Sequence, residues 1–326
     1  MLLQLRVTVP PDRTARVREI FEHDPGTAHL AVLPGASVSP AGDLVVADVA
    51  RESADGLIAA LRDLRVNEDG GIAITPIDTA VSSAARNAED RAPGDASDAV
   101  VWEQVIRGTD ADSALSVSYL AFMTIATMLA GVAVINDSAI LTIGAMVLGP
   151  EFGPLVALAV AVVHRRPGGA RRAVVTLTVG FVVAIGTTAA VTLVGRGLGW
   201  FGPELLGADR PQTGFITSPD KWSLVVAVLA GVAGVLSLTS SKSGALVGVF
   251  ISVTTVPAAA DMAVSLALGG GQQFTRAAIQ LGINLAGILI AAITTLAVQR
   301  AVWRRVPGAL PQTGRADHSS GGRRRT

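Results

Sequence analysis

Residues 136–154 read NDSAILTIGAMVLGPEFGP. The stretch is apolar on both sides, yet it contains Pro150, Pro154, three glycines and one acidic residue, Glu151. An unbroken α-helix cannot run cleanly through GPEFGP, because each proline lacks an N–H and its ring clashes with the carbonyl one turn earlier. In lipid, loosened backbone is tolerated only where protein or a water-filled cavity satisfies it. The stretch therefore predicts a transmembrane helix that is broken near Glu151.

The composition is typical of a membrane protein. Of the 326 residues, 50% are hydrophobic and 16% are charged, and the formal net charge at pH 7 is zero. A chain without net charge has no global field that favours nucleic acid, so we expect no nucleic-acid partner. The absence of cysteine excludes disulfides, thiolate metal sites and cysteine nucleophiles. The first 16 residues lack a basic region followed by a long apolar run, so no secretory signal is predicted.

The region after residue 112 predicts a six-span α-helical polytopic membrane domain, 113–302. Each apolar segment is close to the roughly 20 residues that a span requires. The predicted spans are 113–135, 138–164, 173–199, 222–240, 244–268 and 274–299. Arginines concentrate between the second and third spans and after the sixth. The positive-inside rule then predicts a multi-pass protein of the inner (plasma) membrane, with both termini in the cytoplasm.

The first 78 residues predict a small cytoplasmic α/β domain. Strands are expected at 2–9, 28–33, 44–49 and 72–77, and helices at 10–23 and 51–64. This β-α-β-β-α-β order favours a ferredoxin-like sandwich, which is either a plain appendage or a ligand-sensing or assembly module. Residues 79–112 predict a linker with one interfacial helix, and residues 303–326 a disordered basic tail.

The two halves of the membrane region resemble each other. The sequence from Gly131 aligns with the sequence from Gly231, and in each half a proline interrupts the middle span: Pro150 and Pro154, then Pro257. With three spans per half, the second copy would cross the membrane in the opposite direction. The pattern predicts a 3+3 inverted repeat with two broken helices, which points to a transporter binding site. Chance likeness between Ala-, Gly- and Val-rich helices is the alternative.

Two stretches, NDSAILTIGAMVLGP and SGALVGVFISVTTVP, together with the preceding small domain, resemble the uncharacterised prokaryotic membrane family called domain of unknown function 389. The resemblance covers about residues 2–302. It implies the architecture described above and supplies no substrate. This chain departs from the expected pattern at Glu151, where an apolar residue is expected, and at Pro257, where a proline pair is common.

Two acidic residues are the main candidates for function. Glu151 falls near the middle of its predicted span, where a carboxylate costs roughly 2.5–3.5 kcal/mol on insertion scales and should face a cavity or a partner. It is interpreted either as a proton or cation coupling site or as a cap for the half-helix that starts at Phe152. Asp261, one turn after Pro257, either faces Glu151 or is solvated near the outer surface.

Polar side chains near the predicted breaks complete the candidate path. Ser138, Thr254 and Thr255 can bond freed carbonyls or line a permeation path. Asn284, deep in the sixth predicted span, is interpreted either as part of this path or as an interhelical hydrogen-bonding residue.

Two further patterns concern helix ends and helix contacts. Asn136 and Asp137 are expected to cap the second membrane helix. Gly244 and Gly248 form a GxxxG motif, and residues 278–286 carry a stripe of small residues. Both permit close packing within or between subunits, and a homo-oligomer is expected.

Several enzymatic motifs are missing from the sequence. It contains no GxxxxGK[ST], HExxH or GxSxG, and its four histidines are scattered, so we expect no enzyme, metal or cofactor. The leading hypothesis is a membrane transporter or channel for a small solute or ion, which binds near the midplane between the broken helices. The alternative is a membrane-anchored ligand sensor or scaffold without transport.

Overall fold

The computed structural model of the chain describes residues 1–94, 99–207, 210–214, 221–239 and 247–303, except for the side chains of 247–254 and 303. The start of the fifth predicted span with Gly244, the Thr254 side chain and the basic tail from residue 304 therefore lie outside the described residues. The chain divides into two compact units, one containing Met1–Ala99 and the other Val100–Val302.

The first unit is built on a four-stranded antiparallel sheet. Its strands are β1 (Leu2–Val9), β2 (Thr27–Val38), β3 (Ala41–Ala50) and β4 (Gly71–Ile77), in the order β2-β3-β1-β4. The central strand β1 pairs with both β3 and β4, so that Leu5 lies opposite Ala47 on one side and Ile74 on the other. Alternate residues of β1, from Leu3 to Val9, are fully buried, as the period of two requires when one face is covered.

Four helices accompany this sheet: α1 (Pro11–His23), α2 (Arg51–Asp63), α3 (Val66–Asp69) and α4 (Ser83–Arg91). The helices α1 and α2 contribute Phe21 and Leu61 to the core, both fully buried. The predicted β-α-β-β-α-β order is confirmed, with the short helix α3 added before β4.

The second unit consists of helices. They are α5 (Trp102–Asp112), α6 (Val117–Ile135), α7 (Ala139–Leu148), α8 (Phe152–Val163), α9 (Pro167–Gly197), α10 (Lys221–Thr239), α11 (Val247–Leu268) and α12 (Gly271–Trp303), with a 3-10 helix at Pro203–Gly207. In the described residues, 4 helices (α6, α9, α10 and α12) are long and apolar enough to cross a membrane, or 5 spans if the bent pair α7–α8 counts as one. These helices indicate a membrane-embedded protein, and the count of six spans stays a prediction.

The predicted break in the second span is confirmed. Helix α7 ends at Leu148, α8 begins at Phe152, and the two helices are bent by 52°. Gly149 and Pro150 occupy the break, and Pro154 lies in the first turn of α8. Because N–H groups of a first turn have no partner inside the helix, proline is tolerated there. Pro150 therefore favours the end of α7, and Pro154 is compatible with the start of α8.

The predicted break at Pro257 is wrong. Helix α11 runs from Val247 to Leu268 with Pro257 inside it. The proline lacks the N–H that would bond the carbonyl of residue 253. Packing by neighbouring helices can keep the other backbone hydrogen bonds of α11 in place. Of the two broken helices that were predicted, the structure has one, and the inverted repeat stays a prediction.

One apolar cluster unites most helices of the second unit. It contains Met123 of α6, Leu155 of α8, Phe181 of α9, Ala227 of α10, Ala258 of α11 and Ile288 of α12. Small residues allow α10 and α12 to approach closely: a Cβ on Gly231 would lie 2.6 Å from the Ile288 carbonyl oxygen and 2.8 Å from the Ala291 Cβ. By contrast, no described neighbouring atom lies within 4 Å of a Cβ built on Gly282, in the predicted stripe. Within the described part of the chain, helix α12 thus approaches α10 at Ile288 and Ala291 and not at Gly282, and packing of the stripe between subunits stays a prediction.

Candidate functional site

Glu151 lies at the break between α7 and α8, and its side chain is fully buried. It occupies the N-cap position of α8, but within the described residues its side chain makes no capping hydrogen bond. Instead, the Thr255 Oγ1 hydroxyl donates a hydrogen bond to Glu151 Oε1 over 2.5 Å. The capping interpretation is therefore wrong, and the carboxyl group reaches across to another helix.

Thr255 is placed by the proline-bearing turn of α11. It is itself fully buried and lies two residues before Pro257. The hydrogen bond consequently joins the α7–α8 break to the one turn of α11 that contains a proline. The two proline-containing segments singled out in the sequence meet in space, although one of them remains helical.

Val256, the residue after Thr255 on α11, belongs to a buried apolar cluster with Ala130 of α6, Ala145 of α7 and Ala260 of α11. Apolar walls make the contact between a carboxyl group and a hydroxyl group stronger than it would be in water, and they make an unpaired carboxylate costly. The site therefore pairs one buried carboxyl group with one buried hydroxyl group next to an apolar cluster.

Tyr119, on the first turn of α6, is a residue that the sequence reading missed. It is the chain's single tyrosine, it is 6% exposed, and it interacts electrostatically with Glu151. Its ring packs on Gly180 of α9, where a Cβ would lie 2.7 Å from the phenol oxygen. A tyrosine at the end of a span usually anchors the helix at the membrane interface, which is why the sequence carried no signal for an inward orientation.

A second polar cluster surrounds Asp261 on α11. Its side chain is fully buried; Arg210 Nη1 donates to Asp261 Oδ1 at 3.1 Å, and Gln273 Nε2 donates to the same oxygen at 3.3 Å. The Arg210 side chain is only 8% exposed, and its Nη2 donates to the Leu205 carbonyl at 2.9 Å. The solvated interpretation of Asp261 is wrong, and its charged partner is Arg210 rather than Glu151.

The loop that carries Arg210 is fastened to the turn between α6 and α7. Asp137 Oδ1 accepts hydrogen bonds from the Thr213 amide at 2.8 Å and the Thr213 hydroxyl at 2.7 Å, and the Gln212 amide donates to the same carboxylate at 3.2 Å. Burial acts to raise the pKa of Asp137, but these hydrogen bonds and the charge of Arg210 outweigh it and hold the pKa below 3.8. The carboxylate is therefore ionised near neutral pH and holds the loop.

The predicted cap of the second membrane helix is also corrected. Ser138 is the N-cap of α7, and its hydroxyl accepts from the Leu141 amide at 3.3 Å. Asn136 instead donates through Nδ2 to the Val132 carbonyl of α6 at 2.8 Å. Asp137 cannot cap α7 because its oxygens are directed at the loop.

Residues 146–290 match the profile of a family described as domain of unknown function, DUF389. The resemblance to this family is confirmed. The matched region includes Glu151, Thr255 and Asp261. An uncharacterized protein of Methanocaldococcus jannaschii is 27% identical over 179 residues, 55% of this chain and 53% of the relative. The chain thus spans about half the length of the curated relative it matches, and no solved structure matches it.

The DUF389 region also contains the last candidate from the sequence, Asn284. It is fully buried on α12, and Gln280 Nε2 donates to Asn284 Oδ1 at 3.2 Å, one turn earlier on the same helix. The sequence reading missed Gln280, which is 3% exposed. Among the residues that the structure describes, no group of three or more His, Cys, Asp or Glu could hold a metal ion.

Proposed function

We propose that this protein is a membrane transporter or channel for a small solute or ion, with a path that passes between the α7–α8 break and the Pro257 turn of α11. The observation that carries the proposal is the hydrogen bond between the buried side chains of Glu151 and Thr255. An ionisable group inside a bundle of membrane helices is expensive, and such groups generally mark ion or proton pathways. Here the carboxyl group of Glu151 bonds Thr255 of another helix and does not cap the N-terminus of its own helix.

The pairing with a hydroxyl group suits a carboxyl group that changes its protonation state. A threonine hydroxyl can donate to an ionised carboxylate, and it can accept from a protonated carboxyl group. The contact between Glu151 and Thr255 can therefore persist when the acid is protonated. In the ionised state the hydroxyl group donates the hydrogen bond, and in the protonated state the carboxyl group can donate it instead. In this proposal Glu151 carries a proton or ligates a cation, and Thr255 keeps the acid oriented in both states.

The break supplies a second feature that such a path can use. The N-terminus of α8 carries the positive end of the helix dipole, and the Glu151 side chain does not cap it in the described structure. Broken helices in transporters direct these ends at anionic groups of the substrate. An anion together with a proton on Glu151, or a cation bound by the carboxylate, are the two chemistries that fit this arrangement.

The remaining architecture is part of the same proposal. The protein would be a multi-pass protein of the inner (plasma) membrane with both termini in the cytoplasm, since basic residues concentrate on one side of the predicted spans. It would form homo-oligomers, because Gly282 and Ala286 of the stripe of small residues are exposed in the single chain. The first unit would gate or assemble the oligomer, and the chain would have no enzymatic activity.

Flux measurements in proteoliposomes test the proposal. A panel of inorganic ions and small organic acids and amines is screened with a pH-sensitive dye inside the vesicles. We expect Glu151→Gln to lower the flux at least tenfold and Thr255→Val to lower it by less. Thr192→Val is the matched control, because among the described residues the buried Thr192 hydroxyl donates to the Thr188 carbonyl of its own helix and to no other group. Full flux in Glu151→Gln would remove Glu151 from the mechanism. Ligand binding by the wild-type protein without any flux would favour the membrane-anchored sensor.

A further inference from the structure

The buried carboxylate of Asp261 takes its charged partner from a loop. A buried ion pair is favourable only when its geometry is good and the remaining oxygens and protons are also satisfied. In this pair one guanidinium nitrogen of Arg210 contacts one oxygen, Oδ1, at 3.1 Å. An arginine that fully neutralises a carboxylate commonly binds both oxygens with two parallel hydrogen bonds. The ion pair between Arg210 and Asp261 is therefore incomplete.

Two buried oxygen atoms beside this ion pair lack partners. Within the described part of the chain, neither Asp261 Oδ2 nor Ser265 Oγ has a hydrogen-bond partner, and both side chains are fully buried. The two residues are four apart on α11, which brings their Cβ atoms to about 5–6 Å on one face of the helix. More than nine in ten buried polar groups in native proteins are bonded, so two neighbouring exceptions point to a ligand.

Arg210 can leave the carboxylate without unfolding a helix. It lies in the loop between α9 and α10, and its Nη2 bonds the Leu205 carbonyl of the same loop. The loop itself is held by Asp137 through Gln212 and Thr213, not by Asp261. Withdrawal of the guanidinium would leave both carboxylate oxygens of Asp261 and the hydroxyl group of Ser265 facing the vacated space, while Gln273 Nε2 still donates to Asp261 Oδ1.

We propose that Asp261 and Ser265 form a binding site for a small monovalent cation, for which the guanidinium of Arg210 substitutes in this structure. Oxygen ligands suit hard cations, and a single carboxylate balances a single positive charge. One carboxylate would balance only half the charge of a divalent ion, and the described residues contain no group of three or more His, Cys, Asp or Glu that could hold a metal ion. The site is distinct from Glu151 and does not depend on whether the protein transports anything.

The test is the melting temperature of the full-length protein in nanodiscs. NaCl or KCl is raised from 1 to 100 mM, while N-methylglucamine chloride holds the ionic strength constant. Ligand binding to the folded state stabilises it in proportion to ln(1 + [L]/Kd). We expect the melting temperature of Arg210→Gln to rise by roughly 3 °C or more across the series, because the competing charge is gone. We expect a smaller rise in the wild-type protein and none in Asp261→Asn.

Arg196→Gln is the matched control. The Arg196 side chain donates to the Ala267 carbonyl near the end of α11 and contacts no carboxylate in the described residues. It should respond to the cations as the wild-type protein does. If Arg210→Gln does not fold, the comparison of the wild-type protein with Asp261→Asn decides the question. Equal cation dependence in the wild-type protein, Arg210→Gln and Asp261→Asn would overturn the proposal, and so would an equal effect of N-methylglucamine. Loss of flux in Glu151→Gln would bear on the transport proposal alone.

Discussion

The contact between Glu151 and Thr255 can be measured as a coupling free energy. Thr255→Val keeps the shape of the side chain and removes the hydroxyl group, while Glu151→Leu removes the carboxyl group. Each single substitution leaves one polar group without the partner that it has across the 2.5 Å contact, which costs about 1–3 kcal/mol of stability. The double substitution replaces the carboxyl group and the hydroxyl group by apolar groups, which can leave the stability almost unchanged. We therefore expect the double variant to be more stable than the sum of the single effects predicts.

The structure sets the size of this coupling. Hydrogen bonds between membrane helices average about 0.6 kcal/mol in such cycles, with a maximum of about 1.7. The Glu151–Thr255 pair is short, fully buried and includes an ionisable group, so we expect a value in the upper half of that range. The assay is equilibrium unfolding of the four proteins in mixed micelles, with the free energy of unfolding as the readout.

Thr192 supplies the matched control cycle. Its hydroxyl group bonds its own helix, so Glu151→Leu and Thr192→Val should be additive within about 0.5 kcal/mol. A coupling between Glu151 and Thr255 no larger than in this control cycle would refute the reasoning. The two proline-containing segments would then not be energetically joined.

Two further predictions concern helix packing and the loop. Gly231→Ala should destabilise the protein by about 1–3 kcal/mol, since the added Cβ would lie 2.6 Å from the Ile288 carbonyl oxygen, whereas Gly282→Ala should change unfolding by less than about 0.5 kcal/mol. Both are measured by unfolding in micelles, and equal effects would contradict the packing. For Asp137, whose pKa is lowered in the folded state, the folded protein binds fewer protons than the unfolded one near pH 3.8. The stabilisation by this carboxylate is thus present above that pH and is lost as the pH falls through the folded pKa. The difference in melting temperature between the wild-type protein and Asp137→Asn should shrink from pH 6 to pH 3, and a constant difference would count against the hydrogen-bonded carboxylate.

Local patterns in the sequence were sufficient where a neighbour along the chain decides the structure. The alternation over Leu2–Val9 identified β1, because side chains of a strand alternate between its faces. GPEFGP identified the break before Phe152, because the chemistry of proline acts within one turn. Pro257 is the instructive exception. Its missing N–H weakens one turn, but neighbouring helices determine whether the turn opens, and here α11 stays helical.

The contacts of the acidic residues required the tertiary structure. Glu151 and Thr255 are 104 residues apart, and nothing local to either shows that they meet. Arg210 belongs to a connecting loop of a kind that is usually exposed, yet its guanidinium is buried against Asp261. The sequence alone determined the strands and main helices of the first unit and the break before Phe152, since backbone sterics and hydrophobic period act over a few residues. Only the tertiary structure decided the partner of each buried charge, because desolvation is relieved by whichever polar group the packing of distant helices brings within hydrogen-bonding distance.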